Sequence, residues 1–260
     1  MDLMTVLAGF GVGLMVGLTG VGGASLMTPI LVLLFGVAPA SAVGSDLWFA
    51  GITKIAGGAV LQKKGSVDWQ VARRLWLGSM PATLATLLWM NHVGISQLKP
   101  KLILTTLGIV LFATALAMLF KARTHAFAQS LRSTSPDKFK RAQPGLTVLS
   151  GALLGFLVTL TSVGAGALGT AMLLYLYPLR MKPARLVGTD VVHAVPLTLL
   201  AGTGHMILGD VNFMLVANLL IGSIPGIVLG SIAGGKIPES ALRISIAVVL
   251  MAVSAKLLLI

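Results

Sequence analysis

Two short glycine-rich runs contain the residues of this chain best suited to bind a ligand. Each run interrupts a long apolar segment, and glycine lowers helix stability by up to about 1 kcal/mol and lets the backbone bend. A helix that begins after such a break presents unpaired N–H groups and the positive end of its dipole, which favours an anion. The predicted substrate-binding residues in the two runs are Thr19, Gly20, Val21, Gly22, Gly23, Ala24, Thr161, Ser162, Val163, Gly164, Ala165 and Gly166.

The alternative is that glycines in these apolar segments only let helices pack closely, as small residues do in membrane proteins. We adopt that interpretation for Gly13 and Gly17. We also adopt it for the regularly spaced series Gly222, Gly226, Gly230 and Gly234. For the two runs themselves, the spacing favours a substrate role, because non-helical backbone at membrane depth is tolerated only where protein or a wet cavity surrounds it.

Lys54 is a further predicted substrate-binding residue. It lies roughly two turns inside a segment that is otherwise apolar. Inserting a cation at such a position costs about 2.5 kcal/mol or more, so the side chain is expected to face a cavity or a partner. The alternative is a lysine that extends from a tilted helix end to the membrane surface.

Three titratable residues are candidates for proton coupling. Asp46 follows a Gly-Ser pair and Asp190 follows a Gly-Thr pair, at equivalent places in the chain. This context favours an N-cap, and the alternative is a carboxylate that takes up a proton during transport. His193 lies one turn beyond Asp190 and can titrate near neutral pH, although a buried hydrogen-bonding histidine fits the same position.

Signs of enzymatic chemistry are absent from the sequence. No HExxH, GxSxG, P-loop or EF-hand pattern occurs, and the four histidines are scattered. The chain has no cysteine, which excludes disulfides and thiolate chemistry. We therefore expect no catalytic residue, no metal and no cofactor, and we do not expect an enzyme.

The composition predicts that these residues are positioned by membrane-spanning helices. Of the 260 residues, 56% are hydrophobic and 10% are charged, whereas soluble domains have about 25% charged residues. A helix needs about 20 apolar residues to cross a bilayer. Apolar segments of about this length or longer fall near 3–35, 46–62, 71–91, 102–120, 145–177, 187–208, 212–234 and 241–259. The net charge of +12 comes from basic residues between these segments, which indicates membrane orientation rather than nucleic-acid binding.

The chain contains an internal repeat. Pro39-Ala40 recurs as Pro183-Ala184, Gly44-Ser45-Asp46 as Gly188-Thr189-Asp190, and Gly78-Ser79-Met80-Pro81 as Gly222-Ser223-Ile224-Pro225, all at an offset of 144 residues. The two glycine-rich runs match at an offset of 142. We therefore predict a first transmembrane repeat over 1–122, a cytoplasmic linker over 123–142, and a second transmembrane repeat over 143–260.

The basic residues predict that the two repeats are inverted. The loop at 36–45 lacks Lys and Arg but its counterpart at 178–186 has three, while 62–74 has four and its counterpart at 205–213 has none. Counterpart loops with opposite bias belong on opposite faces of the membrane. Each repeat then begins with either a Gly-broken helix or a helical hairpin. The hairpin places most basic clusters in the cytoplasm and both termini outside, so we favour it.

Two sequence runs resemble the sulfite exporter TauE/SafE family: Gly-Leu-Thr-Gly-Val-Gly-Gly-Ala-Ser at 17–25 and Phe-Gly-Val-Ala-Pro-Ala-Ser-Ala-Val-Gly-Ser-Asp at 35–46. The resemblance extends to the second repeat through 161–166 and 183–190. It implies a secondary transporter of the cytoplasmic membrane that moves sulfite, sulfoacetate, thiosulfate or a similar anion by alternating access. An anion channel and an integral membrane enzyme are the alternatives. The expected partners are the small anion and the lipid bilayer, with a homodimer left open.

Overall fold

The computed structural model describes residues 2–19, 23–63, 67–93, 100–134, 136–233 and 239–259, and these are mostly α-helical. The helices are α1 (Leu3–Thr19), α2 (Met27–Leu33), α3 (Pro39–Lys63), α4 (Trp69–Val93), α5 (Pro100–Leu119), α6 (Lys121–Thr134), α7 (Pro136–Thr161), α8 (Ala167–Leu176), α9 (Pro183–Ile207), α10 (Phe213–Ala233) and α11 (Glu239–Leu259). A short 3-10 helix at Gly23–Leu26 precedes α2. Four of these helices begin with proline, whose fixed φ and missing N–H suit the first helical turn.

Five helical segments within the described residues are long and apolar enough to cross a membrane: Lys101–Leu119, Lys140–Thr161, Ala184–Ile207, Phe213–Gly230 and Ser240–Leu259. They correspond to five of the eight predicted apolar segments. The predicted helical membrane class is therefore confirmed, and the chain is a multi-pass membrane protein. Helices α3 and α4 each have 25 residues, which is long enough to cross a bilayer. Helix α4 is less apolar than the five segments above, since it includes two arginines and a histidine.

The helices pack in pairs that join the two halves of the chain. Helix α1 lies along α10 and α7 lies along α4, while α3 packs against α9 and α5 against α11. Each half of the chain supplies one helix to every pair. The pair α7 with α4 is the copy of the pair α1 with α10, because α7 corresponds to α1 and α4 to α10 at the offset of the internal repeat. Equivalent segments lie side by side in the pairs α3 with α9 and α5 with α11, whereas α1 with α10 and α4 with α7 are two copies of one non-equivalent pair.

Glycines permit the closest of these contacts. A Cβ atom at Gly222 of α10 would collide with the carbonyl oxygen of Val6 of α1, and one at Gly78 of α4 would collide with that of Val148 of α7. Gly222 and Gly78 are equivalent positions of the repeat. Gly226 and Gly230 abut α1 in the same way, which supports the predicted packing role of that series, although Gly234 lies outside the described residues.

The chain reverses direction after α7. The side-chain amide of Gln143 donates to the carbonyl of Leu176 at 2.5 Å, and the hydroxyls of Thr147 and Tyr177 lie 2.8 Å apart. Gln143 and Thr147 lie in the first half of α7, whereas Leu176 ends α8 and Tyr177 follows it. Helix α8 therefore runs back along the chain's path and ends beside the N-terminal half of α7.

The polar stretch between the two halves is helical. The sequence predicts a linker over 123–142, but α6 and the first turns of α7 occupy its described residues. Hydropathy marks the apolar part of a helix and not the extent of its backbone hydrogen bonds, so a solvated helix is easily mistaken for a linker. The boundaries of the two repeats stay a prediction.

Contacts between the two halves of the chain lie near both ends of α3. Near its C-terminal end, the guanidinium of Arg180 forms two hydrogen bonds of 2.6 and 2.8 Å with the carboxylate of Asp68. Near its N-terminal end, the backbone N–H of Asn212 donates to the hydroxyl of Ser45 at 3.1 Å. Ser45 lies in the second turn of α3, and the rest of the helix to Lys63 is about 27 Å long, so the two junctions are separated by most of a membrane thickness.

Candidate functional site

A small buried cavity brings together the predicted site residues that the structure describes most fully. It is lined by Ser25, Ala50, Lys54, Ser162, Gly164, Ala165, Gly166 and Thr198. Ser25 follows the first glycine-rich run, and 162–166 are the second run. The cavity volume is about 10 Å³, which is room for roughly a single water molecule.

Lys54 extends from α3 toward the second glycine-rich run. Its ammonium group donates to the carbonyl oxygen of Ala165 at 3.2 Å. It is also close enough to Asp46 and Asp190 for electrostatic interaction with both carboxylates. Helix α3 is held in place by Val43 and Leu47, which pack with residues of α9 in one buried cluster. The site therefore contains one ammonium group and two carboxylates, contributed by α3 and α9.

The break between α7 and α8 is partly stabilised by its own hydrogen bonds. The Thr161 hydroxyl donates to the carbonyl of Leu157 at 2.7 Å and accepts from the N–H of Val163 at 3.2 Å. The N–H of Ser162 donates to the carbonyl of Val158 at 2.7 Å. These donors and the Thr161 hydroxyl, which the sequence assigns to the substrate, are thus engaged within the loop.

The remaining donors of the break lie at the cavity. Ser162 has φ +58 and Gly164 has φ +114, so the backbone turns sharply before α8 begins at Ala167. No side chain caps this helix. The Ser162 hydroxyl lines the cavity, and the carboxylate of Asp46 is near enough to interact with it. A hydroxyl at this place can also donate a hydrogen bond to a polar ligand or a water molecule.

The first glycine-rich run is described only in part. Helix α1 ends at Thr19, and Gly23 and Ala24 begin the 3-10 helix. Gly20, Val21 and Gly22 lie outside the described residues, as do the side chains of Thr19 and Ala24. Their predicted substrate role stays a prediction.

The prediction that Asp46 caps the helix in which it lies is wrong. Helix α3 begins at Pro39, so Asp46 lies inside it, and it is fully buried. One of its carboxylate oxygens instead accepts hydrogen bonds from the backbone N–H and the hydroxyl of Thr28, at 3.2 and 2.5 Å. Thr28 lies in the first turn of α2, so Asp46 caps a neighbouring helix rather than its own.

The corresponding N-cap prediction for Asp190 is wrong for the same reason. Helix α9 begins at Pro183, and Asp190 lies within it at 1% exposure. Its carboxylate lies against Gly169 of α8, where an added Cβ would collide with Oδ1. That oxygen has no hydrogen-bond partner among the described residues. In both repeats, therefore, the aspartate faces the short helix that follows the glycine-rich run.

His193 is buried and lies against α4. Its Nε2 atom is 3.0 Å from the hydroxyl of Ser79, and its carbonyl accepts from the indole N–H of Trp76 at 3.1 Å. This geometry fits the buried hydrogen-bonding alternative. None of the three proton-coupling candidates lines the cavity itself, and each of them is close enough to Lys54 for electrostatic interaction.

Sequence reasoning missed Thr198, which lines the cavity from α9. Its hydroxyl donates to the carbonyl of Ala194 at 2.9 Å. The signal was present, since Thr198 is the repeat counterpart of Lys54 at the offset of 144 residues. Thr28 and Gly169 were also missed, because nothing in their local sequence distinguishes them from packing residues.

These features define a multi-pass helical membrane protein with a charged centre buried among its helices. The sulfite exporter TauE/SafE family model matches residues 5–257, so the chain belongs to this family. The resemblance predicted from the glycine-rich run is confirmed.

Two curated relatives carry transporter names. The probable membrane transporter protein YjnA of Bacillus subtilis (strain 168) is 39% identical over 233 residues, which are 89% of each chain. The probable membrane transporter protein YdhB of the same organism is 22% identical over 244 residues, covering 94% of this chain and 95% of the relative. No solved structure matches the chain significantly. The family and these names identify a membrane transporter.

Proposed function

We propose that this protein is a secondary transporter that moves a small anion across the cytoplasmic membrane by alternating access. The observation that carries the proposal is the convergence of Lys54 and the Ser162 hydroxyl on a cavity beside the N-terminus of α8. Sulfite, thiosulfate, sulfoacetate or a similar anion is the substrate class that the family description and the site chemistry support. The transport class implies that the protein is not an enzyme.

An anion that leaves water needs hydrogen-bond donors or a cation in exchange, because a buried unpaired charge is very costly. Lys54 supplies the cation, and the N–H groups of Gly164, Ala165 and Gly166 with the Ser162 hydroxyl supply donors. Helix α8 adds roughly half a positive charge at its N-terminus. By repeat symmetry, the first glycine-rich run at 19–24 is proposed to bind the anion together with the second run.

The two carboxylates determine when an anion can bind. If Asp46 and Asp190 are both ionised, their charges exceed that of Lys54, and the centre repels an anion. Protonation of one aspartate balances the centre and lets Lys54 turn from its neighbours to the substrate. Anion binding is therefore linked to proton uptake at one of the two aspartates, which makes proton-coupled transport the favoured mode.

In a carrier, the helices around the site move apart to admit the substrate. A volume of about 10 Å³ cannot hold sulfite, so the surrounding helices must separate before the anion enters. The proposed architecture permits this movement: two inverted repeats, each beginning with a hairpin broken by glycine, meet at the site. Counterflow of labelled substrate in proteoliposomes distinguishes the carrier from the channel.

Replacement of Gly164 by Val tests the proposal. Gly164 has φ +114, a conformation that valine rarely adopts, so the break must rearrange and the backbone donors move. We expect loss of sulfite or thiosulfate binding, measured as the ligand-induced rise in melting temperature. Lys54→Met is expected to weaken binding less, by about ten- to a hundredfold, the usual effect of losing a charged hydrogen bond.

Gly145→Val is the matched control, because Gly145 lies in α7 with open space around its Cβ position. Its binding is expected to equal that of the unmodified protein. Normal binding by Gly164→Val and Lys54→Met, in folded and membrane-inserted protein, would place the anion elsewhere and leave these residues a structural role.

A further inference from the structure

A second cavity lies between the start of α4, the first half of α7 and the loop after α8. Its volume is about 320 Å³, and its lining includes Gln70, Arg74, Lys140, Gln143, Tyr177 and Arg180. It shares no residue with the small central cavity. Its volume lies at the lower end of the range of pockets that hold small ligands, roughly 300–1,000 Å³.

The lining of this cavity carries excess positive charge. Three of its residues are basic and none is acidic. Asp68 neutralises Arg180 through the bidentate ion pair, and the Gln70 side chain accepts a further bond from Arg180 at 2.9 Å. Arg74 and Lys140 form no ion pair with any described residue. Two cations therefore face the cavity without a carboxylate.

The guanidinium of Arg74 is held in a fixed direction. It donates to the Tyr177 hydroxyl at 3.2 Å, which lies 2.8 Å from the Thr147 hydroxyl. Thr147 donates its own proton to the carbonyl of Gln143 at 2.6 Å, so Tyr177 must donate to Thr147 and accept from Arg74. One N–H of Arg74 is thereby fixed, and its other donors can bind a planar or tetrahedral oxyanion.

The cavity lies where the helices end and polar surface begins. Trp69, the first residue of α4, is 43% exposed and packs against Trp76 with ring centroids 6.3 Å apart. Exposed tryptophan at a helix end is typical of the membrane–water interface. Basic pockets between helices at the cytoplasmic interface are known to bind anionic head groups.

We propose that this cavity is a second anion site, which binds a phosphate or similar oxyanion group through Arg74 and Lys140. The group belongs either to an anionic lipid at the membrane surface or to a soluble anion. Binding there requires no opening of the central cavity, so this site can be occupied independently of transport.

Charge-neutralised variants with matched controls test the proposal. The cavity variant is Arg74→Gln with Lys140→Gln. The control is Arg73→Gln with Arg141→Gln, which removes the same charge at exposed neighbours that do not line the cavity. Phosphatidylglycerol retention is measured by native mass spectrometry, and inorganic phosphate binding by the rise in melting temperature.

If the ligand is a lipid head group, the cavity variant should retain phosphatidylglycerol about thirtyfold less well, since each basic residue contributes about a factor of five. If it is a soluble anion, stabilisation by inorganic phosphate should be lost in the cavity variant alone. If the double variant does not fold, Lys140→Gln alone serves instead, because Lys140 is exposed. It should weaken binding of the probe about fivefold. Equal losses in cavity and control variants, or no binding of either probe to the unmodified protein, would overturn the proposal.

Discussion

Asp46 and Asp190 occupy equivalent positions of the repeat but have different surroundings. One oxygen of Asp46 accepts two hydrogen bonds from Thr28, and two donors stabilise a carboxylate anion. Asp190 instead presses an oxygen without a partner against Gly169. Lys54 from α3 interacts electrostatically with Asp190, and His193 lies one turn further along α9. We infer that Asp190 is the aspartate that carries the proton.

We predict that Asp190→Asn separates proton coupling from transport. Asparagine has nearly the shape of a protonated aspartate but cannot release the proton. The variant should therefore still exchange labelled anion across proteoliposomes, yet fail to accumulate it when a pH gradient is imposed. The measurement is uptake with and without the gradient, with exchange as the internal reference.

Asp46→Asn is the matched comparison. Its side-chain oxygen can still accept from Thr28, so gradient-driven accumulation should persist. Full accumulation by Asp190→Asn would remove it as the proton carrier. Loss in Asp46→Asn alone would transfer the role to Asp46.

At this scale the sequence predicts which residues carry charge but not what they contact. Asp46 and Lys54 are recognisable because ions are rare in apolar segments. The N-cap interpretation failed because it assumed that α3 begins at the Gly-Ser pair, whereas the helix begins earlier, at Pro39. The contact from Asp46 to Thr28 depends on how α2 and α3 pack, which no local pattern contains.

Helix pairing through glycine is the feature that matters at the scale of elements. Gly78 and Gly222 each lie against a carbonyl oxygen of the partner helix, so an added methyl group meets backbone and not a flexible side chain. The two helices must then move apart. The sequence predicts this role from the four-residue spacing of the glycines in α10, although the partner helix is known only from the structure.

We predict that Gly78→Ala and Gly222→Ala destabilise the protein to a similar extent. The expected loss is about 1–3 kcal/mol each, the usual effect of overpacking. The measurement is thermal unfolding of the purified protein in detergent. Gly145→Ala is the control, since nothing lies near its Cβ position, and it should be neutral or slightly stabilising. If all three variants unfold at the same temperature, the close contacts described for α4 and α10 are incorrect.

Helix bounds show why element prediction was incomplete. The apolar segments predict α5 and α11 closely, since nearly all their residues are apolar. Helix α6 and the first turns of α7 were not predicted, because they are polar and resemble a linker. Hydropathy reports what surrounds a helix, and a helix that leaves the membrane loses that signal while its backbone hydrogen bonds continue.

At the scale of the whole molecule, contacts between loops bear on the two topologies that the sequence left open. With single broken spans, the loop after α8 and the loop before α4 would lie on opposite faces of the membrane. The Arg180–Asp68 ion pair joins these loops. The bond from the Asp68 N–H to the hydroxyl of Thr189, in the second turn of α9, at 2.9 Å places the same end of α9 beside the loop before α4. These contacts support the hairpin, which puts the basic clusters on one face.

The basic residues predict that the loops at 62–74 and 178–186 share one face of the membrane, since the bias of Lys and Arg alone assigns each loop to a face. The reciprocal bonds could not be predicted. Asp68 binds Thr189 in the second half, and Asn212 binds Ser45 in the first, which are equivalent pairs of the repeat. These two hydrogen bonds depend on how the halves pack against each other, which the sequence alone does not give.

Single-cysteine labelling tests the proposed inverted topology, and the chain suits the method because it has no cysteine of its own. Leu34→Cys and Leu179→Cys introduce thiols at loop positions that are 75% and 72% exposed and nearly equivalent in the repeat. Inversion requires that a membrane-impermeant maleimide label Leu34→Cys in intact cells but label Leu179→Cys only after the cells are opened. Ala126→Cys, on the exposed surface of α6, lies in the stretch that the sequence predicts to be cytoplasmic and should follow Leu179→Cys. The reason is geometric, since α7 and α8 return the chain to the face from which it came. Labelling of Leu34→Cys and Leu179→Cys from the same side would mean that the repeats are parallel, and the paired-donor site proposed for the two glycine-rich runs would lose its symmetry.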